Sequence, residues 1–330
     1  MPDNAFHVVD VFARERYAGN QLAVVHDAAA LDTEQMQAIT RETNFSECTF
    51  VVGETGTETE TGYEVRIFDP AEELPFAGHP TLGTAAVLRE LVGEETPDEV
   101  TLHLGVGDVP VHVESTADGG ERYWMRQVPP TFLGTVPDAT AADLLGLDTA
   151  ALHDDLPVER VTTGLPTLVV PLASVDAVRR AETTEPAYGS FVDEYGGHNV
   201  LCVAAGGVDG GDLHARVFAD WAGVPEDPAT GSSNGCLAAY LAVHEVLGDE
   251  CPRAVVEQGY ELDRPSRLHL RVDASGETIV DPDPSSDTGY YEAHGTPGDE
   301  RRGTDAGVEA ANVTVEVGGR VVPVAAGRLL

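Results

Sequence analysis

The sequence predicts an α+β fold of two similar β-rich halves, each curled around one buried helix. Three observations lead there. Short β-branched runs recur along the chain, two helical stretches are apolar around most of their circumference, and the same kind of segment leads into both. A length of 330 residues suits two domains of ordinary size, and 42% hydrophobic residues can fill two cores.

In chain order, Phe6–Phe12, Gln21–Val25, Cys48–Val52, Tyr63–Phe68 and Val109–Val113 read as strands of the first part. Tyr123–Arg126, Val158–Thr163, Thr167–Val170, Asn199–Ala204 and Leu213–Phe218 follow. Ala254–Gln258, Arg267–Val272, Val313–Val317 and Arg320–Val324 complete the set. The polar stretch Gly53–Gly62 reads as an exposed connection. Asp32 can cap a helix over Thr33–Thr43, with Gln35 in the capping-box position. Ala141–Gly146 and Val175–Ala181 read as shorter amphipathic helices.

Thr81–Leu91 and Asn234–Leu247 are different. The first carries Leu82, Ala85, Ala86, Val87, Leu88 and Leu91, the second an almost unbroken apolar run from Cys236 to Val243. A helix apolar on nearly all sides is buried on nearly all sides, and among so many strands it belongs inside a curled sheet. Gly78-His79-Pro80-Thr81-Leu82-Gly83 also resembles Gly231-Ser232-Ser233-Asn234-Gly235, with one residue of slippage. Both follow a strand ending in Phe and an acidic, Pro-containing loop, which reads as an internal repeat of a whole domain. The boundary falls near Gly119–Pro130, giving domains 1–121 and 122–330, with the last strand free to return to the first half. Asp281–Ala306 is rich in Asp, Ser, Gly and Pro and reads as an exposed insertion.

The charge is lopsided: 57 acidic residues against 19 basic ones, net -38, and every basic side chain other than His is Arg. Such a chain repels nucleic acid and anionic membranes, so neither is expected as a partner. Acidity with Lys removed fits a protein working in very high salt, where the Debye length shrinks to about 3 Å and self-repulsion is screened. The expectation is a halophilic, haloarchaeon-like, cytoplasmic protein. Met1-Pro2-Asp3 opens the chain without a basic n-region or apolar h-region, so no signal peptide is expected, and no apolar run approaches the ~20 residues of a membrane helix. Cys48, Cys202, Cys236 and Cys251 lack CxxC spacing and read as buried free thiols. The sequon at Asn312 reads as chance.

Three segments carry candidate chemistry. Glu47 sits where a helix hands over to an apolar strand, so partial desolvation would raise its pKa and make it a usable general base. A Glu contacting strand-end amides would look the same locally. In the second segment Gly78 permits an unusual backbone angle, Pro80 suits a first helical turn, and His79 sits at the positive end of a buried helix. A packing or capping His is the plain reading there. In the third, Asp227 can act as acid or base, while Thr230, Gly231 and Ser232 let backbone N–H groups face an anion. An Asp or Ser helix cap is its plain reading. Two such helix starts at one cleft would suit a small carboxylate substrate and the movement of a proton at carbon. With no Lys there is no pyridoxal Schiff base, and no GxxxxGK[ST], HExxH, GxSxG or metal-ligand spacing of His occurs.

At these motifs the chain resembles the phenazine-biosynthesis PhzF-like isomerase/epimerase family. The resemblance runs from Val9-Asp10-Val11-Phe12 and Ala18-Gly19-Asn20-Gln21 through Asn44-Phe45-Ser46-Glu47, Phe76-Ala77-Gly78-His79-Pro80-Thr81 and Asp227-Pro228-Ala229-Thr230-Gly231-Ser232 to Gly318-Gly319-Arg320-Val321. It implies a diaminopimelate-epimerase-like fold, a homodimer, no cofactor, and a site between the domains. It also implies that Glu47 is the general acid/base, that His79, Asp227 and Ser232 line the site, and that Gly78 contributes backbone. Related racemases use two Cys as bases, and no Cys here occupies those places. Two alternatives stay open: an amino-acid racemase or epimerase on the same fold, and a small-metabolite-binding protein without turnover.

Overall fold

A computed structural model describes residues 4–57, 60–92, 96–247, 253–273 and 313–329. The chain forms two compact units, Met1–Arg126 with Gly318–Leu330, and Gln127–Val317. The expected insertion Asp281–Ala306, the sequon Asn312 and Cys251 lie outside the described residues.

The first unit opens with β1 (Ala5–Val11), β2 (Asn20–Val25), α1 (Thr33–Thr43), β3 (Glu47–Thr57), β4 (Glu60–Phe68) and β5 (Glu73–Leu74). It continues with α2 (Gly78–Val87), β6 (Glu99–Leu104), β7 (Gly107–Ser115) and β8 (Glu121–Arg126). The second holds β9 (Thr131–Thr135), α3 (Asp138–Leu144), β10 (Glu159–Thr162), β11 (Pro166–Pro171), α4 (Val175–Arg180), α5 (Ala187–Tyr195) and β12 (Asn199–Ala205). After these come β13 (Leu213–Ala219), β14 (Val224–Asp227), α6 (Gly231–Val243), β15 (Arg253–Gln258), β16 (Ser266–Asp273) and β17 (Thr314–Gly319). The final strand, β18 (Val321–Arg328), pairs antiparallel with β1 in the first unit.

The internal repeat is visible in the ladders. In the first unit β1–β2 is antiparallel, β2–β3 parallel, β3–β4 antiparallel, β4–β6 parallel and β6–β7 antiparallel. In the second, β10–β11, β11–β12, β12–β13, β13–β15 and β15–β16 repeat that order of senses. A short strand precedes each apolar helix, β5 on β4 and β14 on β13. The fold is α+β with curled, helix-filled sheets.

Both central helices are buried as their composition requires. Every residue from His79 to Val87 is buried, as are Gly231 and Ser233 to Ala242. Small residues let the strands come close. A Cβ on Gly83 would lie 2.5 Å from Leu22 Cδ2 and 2.8 Å from Val11 Cγ2. Strand alternation then sorts the faces of β3. Thr49 faces α2 and shares a 2.8 Å hydrogen bond with Thr84, while Cys48 and Phe50 pack with Met36 of α1. In the second unit the outer layer is α3, α4 and α5, whose Ala142, Val178 and Phe191 pack with Leu168, Val200 and Cys202. Strands covered on both faces read as continuous apolar runs, which is why β11 and β12 are legible without alternation.

The capping box at Asp32 and Gln35 forms as expected, and Cys48, Cys202 and Cys236 are buried free thiols. Other expectations need correcting. Gly53–Gly62 is no loose connection, because β3 runs on to Thr57 and β4 begins at Glu60, Thr-rich sequence that pairs well in a pleated ladder. Strands β5, β6, β9 and β14 and helix α5 were not anticipated; β14 carries a central Pro and α5 an internal Gly, both weak local signals. The buried helices start three residues earlier than expected, at Gly78 and Gly231, so the motif residues form their first turns. Among the described residues no helix is long and apolar enough to cross a membrane.

Candidate active site

In the first unit the structure brings Glu47 and His79 together. Helix α1 ends at Asn44, whose left-handed backbone (φ 55) turns the chain back toward the sheet. Three residues later Glu47 enters β3 opposite Leu22 of β2. Its side chain therefore lies on the face shared with Thr49, toward α2. His79 Nε2 is 3.5 Å from Glu47 Oε2, with side-chain exposures of 7% and 19%. Burial pushes the Glu47 carboxyl from its ordinary 4.5 up to about 7; a hydrogen bond from Ser46 opposes the rise and the charge of Asp69 adds to it. Such a carboxyl exchanges a proton at neutral pH in either direction. Ser46 Oγ also stands 3.3 Å from Asn20 Oδ1, and Asn20 is itself buried.

The cap of α2 is Ala77, which has no side-chain acceptor to offer the first turn. His79 is thus not a cap; it is a buried residue of that turn. Gly78 opens the helix without a left-handed φ, so the unusual backbone angle expected of it is not used.

In the second unit the structure brings Asp227, Thr230, Gly231 and Ser232 together at the start of α6. Asp227 ends β14, which pairs Asp227 with Val217 of β13. Thr230 donates to Asp227 Oδ2. Thr230 is the N-cap residue of α6 but makes no side-chain cap bond. The residue at the cap position is thus a Thr, not the Asp or Ser of the plain expectation. Ser232 remains half-buried while Ser233, beside it, is buried against Thr167 and Asn199 at 3.0 Å each. Gln258 and Asn234, which bond into this turn, gave no signal in the sequence: each is a lone amide in an apolar element. The charge of Asp69 on Glu47 was equally hidden, since 22 positions of chain separate them. Among the described residues no group of three or more His, Cys, Asp or Glu side chains is placed to hold a metal ion.

Residues 9–284 match the family described as PhzC-PhzF, phenazine biosynthesis-like protein. The chain belongs to this family. A trans-2,3-dihydro-3-hydroxyanthranilate isomerase of Pseudomonas aeruginosa is 36% identical over 275 residues, covering 82% of this chain and 91% of that one. A protein of Mesorhizobium japonicum named as an uncharacterized isomerase is 33% identical over 285 residues, covering 84% and 93%. Among solved structures, a PhzF-family protein of Bacillus anthracis superposes with a TM-score of 0.81 at 25% identity over the whole of both chains. A protein of Pseudomonas aeruginosa described as a predicted epimerase gives 0.72 at 32% identity, covering 99% of each chain. A hydroxyproline epimerase of Agrobacterium vitis shares the fold at 10% identity, with a TM-score of 0.53 over 99% of this chain and 92% of that one. The PhzC-PhzF family is a family of isomerases, and this chain is one of them.

Proposed function

We propose that this family member is a cofactor-independent isomerase that moves a proton at carbon on a small carboxylate-bearing metabolite. The observation that carries the proposal is Glu47, a nearly buried carboxyl titrating at about 7 and lying 3.5 Å from His79. Ionised, Glu47 takes a proton from a carbon made acidic by its neighbours; protonated, it returns that proton elsewhere on the substrate. His79, 3.5 Å away, orients Glu47. Asp227, with the Thr230 hydroxyl on it, serves as an acid–base group of the second unit. Gly231 and Ser232, in the first turn of α6, receive the substrate carboxylate, for which the positive end of a helix is suited. Gly78 offers backbone at the start of α2.

The P. aeruginosa relative makes trans-2,3-dihydro-3-hydroxyanthranilate the first compound to offer. In D₂O, proton NMR should show deuterium entering a ring carbon in the wild type, with little or none in Asp227→Asn. Rapid exchange by Asp227→Asn would remove Asp227 from the chemistry.

An epimerase reading has one supporting observation, the likeness to a predicted epimerase at 32% identity. It needs bases on two faces, and thiols do not supply them: Cys48 faces α1 and Cys236 is buried within α6. Chiral analysis of candidate amino acids separates the two readings.

The net charge of -38 supports adaptation to high salt. Raising KCl from dilute buffer to 2 M should lift the melting temperature by about 10 °C or more, since screening worth a few kcal/mol shifts a unit of this size by that much. Full stability in dilute buffer would refute the adaptation.

A further inference from the structure

Gln258, the last residue of β15, has no solvent exposure, and its whole amide is committed to the segment Asp227–Asn234. Nε2 donates to the Asp227 carbonyl at 2.8 Å and to Thr230 Oγ1 at 3.1 Å. Oε1 accepts from Thr230 N at 3.3 Å and from Asn234 Nδ2 at 2.9 Å. This amide cannot be turned over. A backbone N–H only donates and a backbone carbonyl only accepts, so Oε1 must face Thr230 N and Nε2 must face the Asp227 carbonyl. Thr230 Oγ1 therefore receives a proton from Gln258, and its own hydrogen goes to Asp227 Oδ2.

That arrangement has a cost for the helix. Thr230 is an N-cap residue with extended backbone, of a type that ordinarily accepts from the first-turn amides. Asp32 does so at α1 and Ser174 at α4, with accepted bonds of 2.9 and 3.2 Å. Thr230 does not.

We propose that Gln258 is a positioning residue: it withholds the Thr230 hydroxyl from the start of α6 and turns it onto Asp227. The inference rests on the reading of Asp227–Ser232 as a carboxylate site and adds the device that keeps this site open. An unfilled cap leaves first-turn amides to an incoming anion. The same hydroxyl fixes the rotamer of Asp227 before substrate arrives. One buried amide thus sets both the anion pocket and the acid–base group beside it.

The test uses Gln258→Met, similar in length and without hydrogen bonds, in the full chain. A crystal structure should show Thr230 Oγ1 off Asp227 and bonded to an amide of the first turn of α6. Anthranilate, a stable aromatic carboxylate, serves as the calorimetric probe; its affinity should fall about fivefold, the value of one cap. Adding Thr230→Val to Gln258→Met should recover part of that loss, because the competing hydroxyl is gone. A merely structural Gln258 would give no such recovery. If Gln258→Met does not fold, Gln258→Leu provides the same readings, since it too can neither donate to Thr230 nor carry a charge. Thr230 still on Asp227, or a double variant no better than the single, would overturn the inference. A wild type that ignores anthranilate while Thr230 swings in the variant would refute the carboxylate reading and support the withheld cap.

Discussion

Glu47→Gln is expected to lower turnover by a factor of ~10²–10⁴ and, at the same time, to stabilise the protein at pH 8. Both effects come from the same burial. The folded carboxyl titrates near 7 where the unfolded one titrates near 4.5. Between those values the unfolded chain releases a proton that the folded one keeps. Stability from this group is therefore complete below about 4.5, is lost as pH rises toward 7, and stays lost above it. The ceiling of that loss is about 3 kcal/mol at 1.36 kcal/mol per unit. A glutamine carries no charge to bury, so urea unfolding should show the variant stronger than wild type at pH 8 and level with it at pH 4. A gain of equal size at both pH values would mean that Glu47 is not held in a desolvated place. Undiminished turnover would remove it as the base.

Glu257→Gln should destabilise the second unit by about 2–4 kcal/mol without touching the candidate site. Glu257 is fully buried, and Oε1 accepts from Asp209 N at 2.9 Å and Gly211 N at 2.6 Å while Oε2 accepts from Val208 N at 2.6 Å. Arg267 Nη2 stands 3.3 Å away, and the fully buried His214 ring 3.7 Å away. Burial alone would raise this carboxyl, but the three backbone donors and Arg267 overcome it and hold it below its ordinary value. The ionised form is thus the native one, and its contribution is present above the ordinary carboxylate range and fades as pH falls. A glutamine brings an NH₂ to a place surrounded by donors, leaving at least one of them facing another. The loop residues Gly207 and Gly211 also pack so close that a Cβ on either would lie 2.7 Å from Glu257 side-chain atoms. Chemical denaturation reads the loss; an unchanged midpoint would show that these bonds hold nothing. Anthranilate affinity should stay at the wild-type level, since Glu257 makes no bond to the Asp227–Ser232 segment.

These two glutamates show the limits of reading a chain in one dimension. Glu47 was one candidate because a helix end and an apolar strand meet at it, a local juxtaposition that predicts desolvation, but only the family resemblance singled it out as the base. Glu257 sits in an equally apolar strand, yet it is satisfied by amides from a loop some 46 to 49 positions away, which no local pattern announces. The same holds for Gln258, whose neighbours belong to a different strand and helix.

What the sequence determined by itself was periodicity and composition. Two helices apolar all round had to be enclosed, short alternating runs had to enclose them, and the repeated approach to Gly78 and Gly231 placed candidate chemistry at both helix starts. Those are consequences of burial, which each residue carries with it. The tertiary structure decided which polar groups meet. It put Glu47 against His79, moved both helix starts three residues upstream, left the α6 cap unfilled and turned Thr230 onto Asp227. Hydrogen bonds and desolvation depend on what packs across the sheet, and that is fixed only when strands distant in the chain come into register.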